Sequence, residues 1–162
     1  MEKKTEITEK KGLGEPNVIP TEVIQSQVDN YRNNQLMAIN ETLGIDDANA
    51  IWFDMVTLKK FIADIEKEAC DVDPDVTTKD LGIRFYYAAY PEEPQYPIPA
   101  DYARRHTLIM VPTKKKDDLN YDFNPYEDIG HALAVTLEVS GRAVAQNHGA
   151  LIPPGTSIVE SY

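Results

Sequence analysis

Two strand-like runs constrain this chain most: Gly82-Ile-Arg-Phe-Tyr-Tyr-Ala-Ala-Tyr90 and His106-Thr-Leu-Ile-Met-Val-Pro-Thr113, joined by a Pro- and Tyr-rich connection and preceded by an amphipathic helix. In the first run Ile83, Phe85 and Tyr87 alternate with Arg84, Tyr86 and Ala88, the period-two pattern of a strand buried on one face. A sheet built on such strands needs cover on that face. The expected fold class is therefore α+β, a single small mixed or antiparallel sheet covered by two amphipathic helices.

The covering helices are legible. Thr21 is a candidate N-cap after Pro20 and Gly44 a stop, and between them Ile24, Val28, Tyr31, Leu36, Ile39 and Leu43 fall in one broad stripe, with Met37 outside it. After an extended Ala50-Ile-Trp-Phe53, Asp54 can cap a second helix, in which Leu58, Phe61, Ile62, Ile65 and Ala69 recur on one arc from Met55. Its other face carries Lys59, Lys60, Asp64, Lys67 and Glu68. The second strand should lose its regular ladder at Pro112, which lacks a backbone donor. Leu133, Val135, Leu137 and Val139 alternate as a further strand, Ala143 to Gln146 and Thr156 to Val159 could add short ones, and Asn147-His148-Gly149 and Pro153-Pro154-Gly155 punctuate the end.

A chain of 162 residues fits one domain. Residues 1–18, rich in Lys and Glu, read as a flexible tail, 19–155 as a single α+β domain, and 156–162 as a tail or edge strand. The net charge of −11 should repel phosphate backbones and anionic lipid, so neither nucleic acid nor a membrane is an expected partner. No run is long enough for a signal peptide or a membrane span, and the lone Cys70 cannot form an internal disulfide, so a cytoplasmic location is expected.

The order of helix, Gly82-Ile-Arg-Phe-Tyr strand, Thr107-Leu-Ile-Met-Val-Pro-Thr strand and late Asn147-His148-Gly149 with Pro153-Pro154 resembles a group of small bacterial proteins with no assigned activity, over roughly residues 21–154. The resemblance implies an α+β fold more than any chemistry. Relatives of that kind often carry cysteines around the Pro-Pro element, where this chain has Ile152 and Gly155, so no thiol or metal role transfers.

Three constellations could carry a function. Asp71, Asp73 and Asp75 sit at alternate positions like the start of a calcium loop, but Val76 stands where an EF-hand needs Gly and Gly82 where it needs a bidentate acid. Arg84, Tyr86 and His106 could share a sheet face and receive an anionic ligand, with Arg104 and Arg105 nearby. Tyr90, Tyr96 and Tyr102 cluster around the Pro-rich connection, and Tyr suits protein interfaces, although the same rings could cover the sheet from within. His106, His131 and His148 are too dispersed for a zinc site by spacing, and no nucleophile motif is present.

The leading expectation is a non-enzymatic protein-interaction or self-assembly module using the Tyr/Pro-rich edge, with a protein partner or a homo-oligomer and no cofactor. The rivals are a small-molecule-binding enzyme using Arg84, Tyr86 and His106, and a calcium-responsive binder using Asp71, Asp73 and Asp75.

Overall fold

The structure, a computed structural model, describes residues 17–126 and 143–153. It is an α+β fold in the order α1 (Thr21–Asn30), a π-helical segment (Tyr31–Leu36), α2 (Met37–Leu43), β1 (Ala50–Trp52), α3 (Met55–Val72), β2 (Leu81–Ala89), β3 (His106–Lys116), β4 (Leu119–Asp122) and β5 (Ala150–Ile152). Among the described residues the strands form two antiparallel sheets rather than one, β2-β3-β4 and β1-β5. A single bridge between Met110 and Gln146 brings the segment before β5 against β3. Alternation shows that a strand is half-buried but not which strand it pairs with, and so the sequence could not show that Ala50–Trp52 pairs with Ala150–Ile152.

Helix α3 forms for the reasons its sequence gives. The Asp54 carboxylate accepts from Thr57 N at 2.8 Å and also bonds the Thr57 hydroxyl, satisfying an orphan amide of the first turn. These bonds from Thr57 hold the Asp54 carboxyl below its ordinary range. Phe61, Ile65 and Ala69 are buried, and the first two pack with Met110 of β3, flanked by Phe53, Leu58, Leu81, Ile83 and Val144. Ile62, placed on the same arc by periodicity, is exposed at its margin.

The first helix is less regular. Pro20, not Thr21, occupies its N-cap position and makes no side-chain cap bond, so Thr21 is already helical. Gly44 does end α2, in the left-handed region at φ 62°. The π-helical segment widens the turn between α1 and α2, so positions beyond it no longer continue a 3.6-residue stripe. Leu36 is buried, but Leu43 joins Met37 among the exposed side chains.

Strand β3 runs through Pro112 instead of ending there. Met110 exchanges both backbone bonds with Gln146, and the Pro112 carbonyl accepts from Phe123 N at 2.9 Å. Pro112 therefore turns its nitrogen away from β2, toward the gap where the neighbour of β3 changes from Gln146 to β4, and no β2–β3 bond is lost. β3 and β4 meet through Asp117 and Asp118, both at positive φ (50° and 65°), the requirement of a type I′ hairpin turn. The strand expected over Leu133 to Val139, His131 and the Thr156 to Val159 segment lie outside the described residues.

Candidate functional site

The β2–β3 register, with Arg84 opposite Val111, Tyr86 opposite Ile109 and Ala89 opposite His106, decides which expected site residues meet. Arg84 and Tyr86 do. Both engage Asp122 of β4, the guanidinium also donates to the Asn120 carbonyl at 2.9 Å, and hydrogen bonding to Tyr86 with the Asp122 charge holds Arg84 above its ordinary pKa. His106 does not join them. It lies at the far end of the ladder and, being opposite Ala89, on the other face. Period two fixes faces along one strand but not the offset between two, so the three could be grouped from sequence only by assuming a register.

His106 instead meets Asp47, a buried residue that sequence reasoning missed. One Asp47 oxygen accepts from the backbone amides of Ala48 at 2.8 Å and His106 at 2.6 Å, while the other contacts His106 Nδ1. Burial, then the Asp47 and Tyr87 charges, push the Tyr31 hydroxyl above its ordinary value. The two arginines flanking this corner are spent on backbone carbonyls, Arg104 on Leu43 at 2.8 Å and Arg105 on Asp46, Asp101 and Pro153. The arrangement ties the loop after α2 to the start of β3.

The acidic loop is also internally engaged. Asp73 pairs with Lys114 at 2.6 Å, which with the Asp75 amide lowers its carboxyl pKa, and Asp71 pairs with Lys67 at 2.5 Å. Among the described residues no three His, Cys, Asp or Glu side chains gather as metal ligands.

The tyrosines separate. Tyr90 is buried with Ala48 and Leu151, and Tyr102 packs on that cluster with its ring centroid 5.6 Å from that of Tyr90. The Tyr90 hydroxyl donates to the Asn147 carbonyl at 3.2 Å, and the Tyr102 hydroxyl accepts from Leu151 N at 3.1 Å. These two rings are core rather than an exposed edge, because the connection folds back on itself: Tyr90 N bonds the Arg105 carbonyl and Arg104 N the Pro91 carbonyl. Tyr96 alone of the three stands in solvent, 97% exposed.

Three exposed aromatics follow one another on β2. Phe85 and Tyr87, placed toward the core by alternation, share the α3-facing side with Ile83, but α3 covers only the Ile83 end. Phe85 is 53% exposed and Tyr87 91%. Among the described residues β2 is also an edge strand. Because Met110 and Pro112 turn their carbonyls to the β4 side, their partners Phe85 and Ile83 must turn their own amides and carbonyls away from β3. Tyr90 N bonding the Arg105 carbonyl fixes the same phase, so Ile83, Phe85, Tyr87 and Ala89 present main-chain groups along the outer edge. No partner for these groups is present among the described residues.

No family model matches the chain, and no curated protein or solved structure is recognisably similar to it. No helix among the described residues is long and apolar enough to cross a membrane.

Proposed function

We propose that this chain is a protein-interaction module whose docking element is the outer edge of β2, which takes an extended polypeptide segment as an additional strand. The observation that carries the reading is the row of main-chain groups at Ile83, Phe85, Tyr87 and Ala89, unpaired among the described residues, beside exposed Phe85, Tyr86 and Tyr87. Soluble proteins blunt such an edge with lysine, proline, a bulge or a short strand. β2 has none of these: it spans nine residues in unbroken register, and its one charge, Arg84, is paired with Asp122. In strand addition the main-chain bonds supply affinity and alternate side chains supply selectivity, a division that suits an edge flanked by aromatic rings. The Tyr/Pro-rich connection contributes Tyr96 at most, since Tyr90 and Tyr102 are committed to the core.

The test uses a synthetic peptide of the Asp80–Tyr90 sequence as the added strand, with the chain held dilute. Added peptide should slow hydrogen exchange at the Phe85 and Tyr87 amides. Phe85→Pro, which removes an outward donor without removing a β2–β3 bond, should abolish that protection. Unchanged exchange at both amides in excess peptide would overturn the reading.

A further inference from the structure

The occupant of this edge can be named from the strand itself, on the reading of β2 as a docking edge. We infer that β2 pairs with β2 of a second copy of this chain, antiparallel about a two-fold axis at Phe85, joining the two three-stranded sheets into one. A two-fold axis between antiparallel strands makes the pairing self-complementary, so the register must be symmetric about one residue. Phe85 is the midpoint of Leu81–Ala89, and centring there pairs the whole strand. It also has the correct phase. Phe85 turns its amide and carbonyl outward, and so would exchange both bonds with Phe85 of the second copy, with Ile83 and Tyr87 doing so reciprocally on either side.

Side chains agree with this register. On the α3-facing side it sets Phe85 against its own copy and Ile83 against Tyr87, bringing together rings that are exposed in the single chain. On the other side it sets Arg84 opposite Tyr86 of the second copy, twice, so that no like charges stand directly opposite each other. Within one chain Arg84 and Tyr86 both bond Asp122 of β4, so the pairing brings no unpaired charge to the seam. Centring on Arg84 would oppose two guanidiniums. Centring on Ile83 would leave Tyr87 unpaired.

Charge sets the conditions. Two chains of net charge −11 repel, and that repulsion is screened as the Debye length falls from about 30 Å at 0.01 M salt to about 10 Å at 0.1 M. Association through an apolar strand pair should therefore tighten with salt, whereas an ion-paired interface would loosen. One strand pair is a small interface, below about 1,200 Å². Reversible association is expected.

Analytical ultracentrifugation of the full chain across a concentration series, at low and moderate salt, tests the inference. The expected result is a monomer–dimer equilibrium that tightens with salt and weakens at least tenfold in both Phe85→Pro and Tyr87→Lys. Tyr87→Lys alters a side chain already in solvent, so in dilute, monomeric samples its thermal midpoint should stay at the wild-type value even where Phe85→Pro perturbs folding. A wild-type monomer at every concentration, or a dimer that Tyr87→Lys leaves intact, would overturn self-pairing. If the Asp80–Tyr90 peptide still protects the edge of a strictly monomeric chain, the docking reading stands and only the second copy is wrong as its occupant. If the peptide also fails, both fall.

Discussion

Removing the Phe61 ring should cost this fold about 3 to 5 kcal/mol, because that side chain joins α3 to the sheet. Phe61 is 4% exposed and lies against Ile65 and Met110, which are equally closed to solvent. Phe61→Ala withdraws roughly 110 Å² of buried apolar surface, worth about 2.5 to 3 kcal/mol at about 25 cal/mol per Å². Incomplete collapse leaves a void, and about 50 Å³ of it at about 24 cal/mol per Å³ adds roughly 1 kcal/mol. The control lies on the same helix: Val56 is 78% exposed, and Val56→Ala should change stability by less than about 0.5 kcal/mol, with helix propensity in its favour. Urea unfolding followed by circular dichroism reads both, with an unchanged slope certifying that the midpoint shift reports stability. A Phe61→Ala loss under about 1 kcal/mol, or an equal loss in Val56→Ala, would refute the packing of α3 on Met110.

Asp47→Ala should cost roughly 2 to 4 kcal/mol, since it leaves the buried Ala48 amide and the half-buried His106 amide without their acceptor, and a shift in urea midpoint smaller than that of Val56→Ala would contradict this role. Gly149→Ala should destabilise by about 1 to 3 kcal/mol, because its Cβ would stand 2.4 Å from Ile51 Cγ2 and 2.7 Å from Phe53 Cζ; calorimetry showing no loss would place β1 elsewhere. The Asp73 carboxyl, held below its ordinary value of 3.8 first by Lys114, contributes stability that is full above that value and lost as pH falls through the lowered one. Acid unfolding of Asp73→Asn should therefore be less steep below pH 3.8 than that of the wild type, and superimposable curves would remove the Lys114 pair from the account.

Local signals carried far in this chain. The apolar arc and the Asp54 cap define α3, Gly44 ends α2, and period two finds β2. What could not be read depends on partners distant in sequence. Asp47 meets His106 only because a loop and a strand start share one corner, and neither residue has a spacing that announces it. Tyr90 and Tyr102 carry the composition of an interface, yet the closed base of their connection folds them inward. Phe85 and Tyr87 fit the core pattern of a strand, but alternation cannot show how far α3 extends over it. One missed signal was local: Asp117-Asp118 between Lys116 and Leu119 is a hairpin turn in which two aspartates take the left-handed positions usually given to Asn-Gly.

Residue-resolved hydrogen exchange along β2, in dilute and concentrated samples, tests the account most directly. In the dilute monomer the Arg84 and Tyr86 amides, which point to β3, should exchange slowly, while those of Phe85 and Tyr87 exchange near the rate of an unprotected chain. In concentrated samples the Phe85 and Tyr87 amides should slow as the second strand is added. Protection of Phe85 and Tyr87 that is already complete in the dilute monomer would show that the chain covers this edge itself, and would contradict β2 as its docking element.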